Sequence, residues 1–182
     1  MKTDYTLLNR QLEALVSGEE NRTGILANAA ALLKETTGWF WTGFYMVHGD
    51  ELWLGPFQGP VACTRIGRGK GVCGSAWAQR RSLVVPDVEE FPGHIACSSL
   101  SRSEIVIPIF ADGTTVSADG TMVPDGSAAP GDSASPEGTV IGVLDIDSTQ
   151  TGTFTEEDRV GLEAFCAILS RALHGSSDAA SM

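Results

Sequence analysis

Helical stripes stand at both ends of this chain and bracket a middle that reads as strand, which limits the folds open to it. Over residues 3–17, Tyr5, Leu7, Leu8, Leu12, Leu15 and Val16 fall at the spacing that gathers apolar groups on one helix face. A second helix is expected from Asn21, a capping residue, to about Thr36. Its stripe is Ile25, Leu26, Ala29, Ala30, Leu32 and Leu33, and Gly38 closes it. Near the other end, Thr155 and Asp158 resemble a capping box with Asp in place of the usual Glu or Gln. Val160, Leu162, Phe165, Cys166, Ile168, Leu169 and Leu173 then supply the buried face of a helix ending near His174.

Residues 39–47 are rich in aromatic and β-branched side chains. His48, Gly49 and Asp50 mark a turn, and residues 51–54 return as a second strand. Gly and Pro punctuate residues 55–75. Strands are expected at 83–85, 104–110 and 139–146, and a loop with one helical turn over 87–103. The result is an α+β fold: one central antiparallel sheet with the N- and C-terminal helices packed on one face.

A length of 182 residues suits one domain with a real core. Residues 111–138 are mostly Ala, Gly, Ser, Thr, Asp and Pro, too poor in apolar groups to order themselves, and read as a mobile loop inserted between two strands. Without it, those strands would pair as a hairpin. The tail, 175–182, is expected to fray. A net charge of −11 with the twelve Lys and Arg scattered makes nucleic acid and anionic membranes poor partners. With no apolar run after Lys2 and no stretch of transmembrane length, the expected location is the cytoplasm.

Four cysteines then need a reason. Cys166 lies on the apolar face of the last helix and reads as core. Cys63, Cys73 and Cys97 fall in turn-rich stretches. Arg65 could hold a thiolate at Cys63 by charge, and His94 could raise the thiolate fraction of Cys97. Three Cys and one His would also make a zinc shell, but no C-x₂₋₄-C pair is present, so no metal is expected. Asp145 and Asp147 alternate along a strand and so point to the same face. On a buried face two such acids need a job. Glu104 opens a strand, where a solvated Glu is ordinary. Trp39, Trp53 and Trp77 read as core.

The runs WTGFY (41–45), GPFQG (55–59), ACTRI (62–66), GKGVCG (69–74), GHIAC (93–97), SEIV (103–106) and GVLDIDS (142–148) closely resemble the free methionine-(R)-sulfoxide reductases, which are single GAF-domain enzymes. The resemblance spans residues 5–173, apart from the insertion. It implies one GAF domain over residues 1–182 that reduces the R sulfoxide of free methionine through a cysteine cycle, with no cofactor. By that resemblance Cys97 matches the catalytic cysteine, Cys63 the usual resolving cysteine and Cys73 a third that substitutes or relays. Glu104, Asp145 and Asp147 match the pocket carboxylates, one of them a proton donor, and Trp41 and Tyr45 match the aromatic wall. A thioredoxin-like reductant is implied, and family members are often homodimers. The competing reading is a non-catalytic GAF sensor of a small molecule or of oxidation. The cysteine triplet and the lack of an output segment count against it.

Overall fold

The computed structural model describes residues 2–95, 98–111, 115–116, 122–123 and 138–175. In chain order these form helices α1 (Tyr5–Val16) and α2 (Arg22–Thr37), strands β1 (Trp41–His48), β2 (Glu51–Gln58) and β3 (Arg65–Gly67), helix α3 (Gly71–Gln79) and strand β4 (Leu83–Val85). A 3₁₀ turn (Val88–Glu90) precedes β5 (Ser103–Phe110), β6 (Thr115–Val116), β7 (Met122–Val123), β8 (Val140–Ser148) and α4 (Glu156–Gly175). Six strands make one sheet in the order β3-β2-β1-β8-β5-β4, antiparallel at every pairing.

The terminal helices start where the capping residues stand. The Asp4 carboxylate accepts from the Leu7 N–H at 3.0 Å, and the Asn21 side chain accepts from the Gly24 N–H at 3.1 Å. At α4, the Thr155 N–H donates to Asp158 Oδ2 at 2.8 Å while the Asp158 N–H donates back to Thr155 Oγ1 at 3.3 Å. The Asp therefore completes the reciprocal cap.

Alternation along the strands sends side chains to two different cores. On one face Phe44, Ile105, Ile107, Leu144 and Ile146 pack under α1, α2 and α4, with Leu8, Leu33, Phe165 and Cys166 among the buried helix residues. On the other face Trp41, Tyr45, Val106 and Val143 pack with Val72, Cys73, Ala76 and Trp77 of α3. The expected antiparallel sheet with end helices on one face is present.

Helix α3 and strand β3 were not expected from the sequence. Six of the nine residues of α3 are buried, so it lacks the polar face that makes a helix visible as a period. Gly74 is part of the reason for its placement: a Cβ there would sit 2.3 Å from the Gly67 carbonyl oxygen. Only a residue without one lets α3 seat against the end of β3.

Strands β5 and β8 pair directly, Phe110 opposite Val140, and the Ala111 N–H donates to the Thr139 carbonyl at 2.8 Å. The hairpin expected once the insertion is set aside is therefore formed. The loop expected over 111–138 lies mostly outside the described residues; within it, β6 and β7 pair with each other. The expected frayed tail, from 176 on, also lies outside them. Among the described residues no helix is long and apolar enough to cross a membrane.

Candidate active site

Strand register places the acidic groups. Across β1, β8 and β5, Trp41 faces Asp147, Asp147 faces Glu104, and Gly43 and Val106 both face Asp145. Directly opposed residues in an antiparallel sheet project to the same side, so Trp41, Glu104, Asp145 and Asp147 share the α3 face. A pocket opens there between the sheet, α3 and the segments around Ala62 and His94, with all three carboxylates, Tyr45 and Cys73 in its wall.

Glu104 is only 6% exposed and Asp145 only 7%, so Glu104 is not the solvated Glu that is ordinary at a strand start but lies in the pocket wall, as the resemblance implied. Packing of α3 and the His94 segment over the β5 end removes the solvent. Burial pushes the carboxyls of Glu104 and Asp145 well above the usual range, and the neighbouring acids push the same way. Burial raises Asp147 to about 6, with a hydrogen bond from Ser101 opposing the shift. Asp145 shares hydrogen bonds with Cys73 and Glu104, yet its Oδ1 is buried with no partner among the described residues. An orphaned acceptor in a pocket wall is where a donor from a ligand belongs.

Cys73 is a free thiol at the base of this wall, 3% exposed, and its Sγ donates to Glu104 Oε1 at 3.8 Å. Burial and the surrounding acids push it well above the ordinary thiol range. His94 lies at the pocket edge, its Nε2 3.9 Å from Glu104 Oε2. Burial lowers the imidazole while it raises the carboxyl, so both tend toward neutral forms and the contact is a polar one rather than an ion pair.

Cys63, half-buried, is disulfide-bonded, whereas Cys73 and Cys166 are free. Cys97 lies outside the described residues. The Arg65 guanidinium that the sequence placed near Cys63 pairs with Glu51 at 3.1 Å and stacks on Trp53 at 3.6 Å instead. Register decides this, because β3 sets Arg65 opposite Trp53. Trp53 is thereby a half-exposed stacking partner rather than core; Trp39 and Trp77 do pack into the two cores.

Trp41 and Tyr45 stack at 6.0 Å between ring centres. Each also holds the Cys63 segment: Trp41 Nε1–H donates to the Pro60 carbonyl and the Tyr45 hydroxyl to the Cys63 carbonyl, both at 3.0 Å. The indole lies flat because Gly43 has no side chain; a Cβ there would meet it at 2.5 Å and Phe57 at 2.3 Å.

The GKGVCG run marked backbone able to approach a ligand, but gave no role to Lys70 and Gly71, which line the pocket at the start of α3. A helix start with a lysine beside it suits an anion. Recognising α3 would have revealed both. Ser101, which tunes Asp147, carried no sequence signal.

A GAF domain is recognised over residues 21–173. The chain is 46% identical over 166 residues to GAF domain-containing protein A of Dictyostelium discoideum, covering 91% of this chain and 89% of that protein. It is 42% identical over 170 residues to the free methionine-R-sulfoxide reductase of Escherichia coli, covering 93% and 88%. Its fold superposes on the free methionine-R-sulfoxide reductase of Neisseria meningitidis, solved in complex with its substrate, with a TM-score of 0.80 and 44% identity over 97% of this chain and 92% of that one.

Proposed function

The chain belongs to the GAF-domain family of free methionine-R-sulfoxide reductases, and from that premise we propose that it reduces the R sulfoxide of free L-methionine to methionine at the expense of a dithiol. The observation that carries this reading is the pocket wall of Glu104, Asp145 and Asp147, in which Tyr45 also donates to the carbonyl of the disulfide-bonded Cys63. A thiolate attacks a sulfoxide sulfur only if the oxygen can be protonated as the S–O bond breaks. Carboxyls held above their usual range can supply that proton at neutral pH.

In this mechanism Cys97 is the nucleophile, a role that rests on its match to the family's catalytic cysteine. Its sulfur takes the sulfoxide oxygen with one proton from the carboxyl wall, which leaves methionine and a Cys97 sulfenic acid. The Cys63 thiol attacks that sulfenic acid, releasing water and forming a disulfide. A thioredoxin-class dithiol reduces the disulfide and is itself oxidised. The disulfide at Cys63 and the free state of the more deeply buried Cys73 favour Cys63 as the resolving thiol.

Recognition of the free amino acid follows from the polar groups of the wall. The orphaned Asp145 Oδ1 accepts from the substrate ammonium, with the neighbouring acids adding charge. The start of α3 and Lys70 receive its carboxylate, and the S-methyl group packs on Trp41. A methionine within a peptide has neither terminal charge.

Incubation with dithiothreitol and each epimer of free methionine sulfoxide, followed by methionine release, tests the reading. The R epimer should turn over and the S epimer should not; equal turnover of a peptide-bound sulfoxide would sink it. Cys97→Ser should abolish even a single turnover, whereas Cys63→Ser should complete one turnover and stall with thioredoxin. Normal recycling of Cys63→Ser together with stalled Cys73→Ser would move the resolving role to Cys73.

A further inference from the structure

Two residues of the carboxylate wall also converge on a thiol in a grouping with a second use. The Cys73 sulfur and one carboxylate oxygen each from Glu104 and Asp145 lie within 4.8 Å of one another, and all three residues are buried. Three ligands on a tetrahedral zinc ion, at about 2.3 Å for sulfur and about 2.0 Å for oxygen, stand roughly 3.5 Å apart. Cys73 Sγ and Glu104 Oε1 are already 3.8 Å apart. Small rotations of side chains would complete the set.

We propose that Cys73, Glu104 and Asp145 bind one thiophilic divalent cation of the zinc class, and that this cation excludes the substrate. Two observations support it beyond the clustering of acids. First, Asp145 Oδ1 is an orphaned acceptor, on a residue more than nine-tenths buried, in the wall of the pocket. Second, the donor set joins a thiol to two carboxylates, and a thiol selects a borderline-soft metal over magnesium or calcium. The cation displaces the thiol proton, and any proton on the two carboxyls, into solvent, and so relieves the mutual repulsion of the three groups. Its fourth position faces the pocket, toward water. Cys73 is a free thiol while Cys63 is disulfide-bonded, so the site is complete in that oxidised form. The exclusion of substrate rests on the assignment of Asp145 to the substrate ammonium; the cation site itself does not.

Cobalt(II), which takes zinc geometry and absorbs light when bound by thiolate, provides the probe. The full-length chain in its disulfide form is titrated with cobalt(II) and followed by near-ultraviolet charge-transfer absorption. One cobalt per chain is expected, with a thiolate band that disappears in Cys73→Ala and an affinity that falls by about 100-fold in Asp145→Asn. Circular dichroism melts of both variants confirm that they fold. Absence of a thiolate band, or a band unchanged in both variants, overturns the proposal. Saturating methionine should displace the cobalt; a band that persists in full overturns the exclusion of substrate. No sulfoxide turnover by metal-free wild type, in a protein that does give the thiolate band once cobalt(II) is added, would instead sink the reductase reading and leave the cation site standing.

Discussion

Three carboxyl groups share a wall with a thiol and an imidazole, and none of these neighbours offers a permanent positive charge. Burial above all makes each carboxyl keep its proton to a higher pH in the folded chain than in the unfolded one. The sign of the linkage follows. Below the unfolded value both states hold the proton and stability is unaffected; as pH rises, the unfolded chain releases its proton first and stability falls until the folded value is passed. For Asp147 that window runs from 3.8 to about 6. Asp147→Asn removes the titration, so urea unfolding should give equal stability for wild type and variant near pH 3.5 and an advantage for the variant above pH 6.5, of about 1–3 kcal/mol. The same substitution logic at Glu104 costs function: Glu104→Gln should lower kcat by about 10²-fold if the carboxyl is the proton donor, while leaving the fold at least as stable at pH 8. A destabilised Glu104→Gln at that pH would show that the buried carboxyl is better tolerated than burial implies.

At the scale of elements, α3 decides whether the site exists. It carries Cys73, presents its first residues to the pocket and roofs the sheet face that bears the acids. Its seat depends on Gly74, whose missing Cβ would press against backbone atoms that cannot rotate away. Gly74→Ala should cost about 1–3 kcal/mol by overpacking, read as a lower thermal midpoint, and should raise KM as α3 lifts from the wall. An unchanged midpoint would mean that the β3 end yields freely. The helices visible in the sequence were those with an outside: α1, α2 and α4 each bury one face and wet the other, and their caps stand in place. Helix α3 has no wet face to betray it, and β3 is three residues long.

At the scale of the whole molecule, the sheet closes without the insertion. Phe110 pairs with Val140, so the β5–β8 hairpin needs no more than a short connection. Replacing residues 112–137 by a short Gly-containing turn should keep turnover unchanged and raise stability by about 1.5 kcal/mol, since each halving of loop length recovers about 0.6 kcal/mol of closure entropy. Differential scanning calorimetry and the dithiothreitol assay check both; a lower midpoint would reveal contacts that the composition of the insertion does not suggest. The sequence by itself determined the α+β plan, the capped end helices, the shared face of Asp145 and Asp147 and, through its short motifs, the family. Those are local properties: periodicity, capping chemistry and two-residue alternation along one strand. Only the tertiary structure decided that Glu104 is buried beside them, that Cys73 rather than Cys63 lies among the acids, that Arg65 serves Glu51 and Trp53, and that one acceptor of Asp145 is buried with no partner among the described residues. Each of these depends on strand register or on what packs over the sheet, and both are settled by pairings between residues that are distant in the chain.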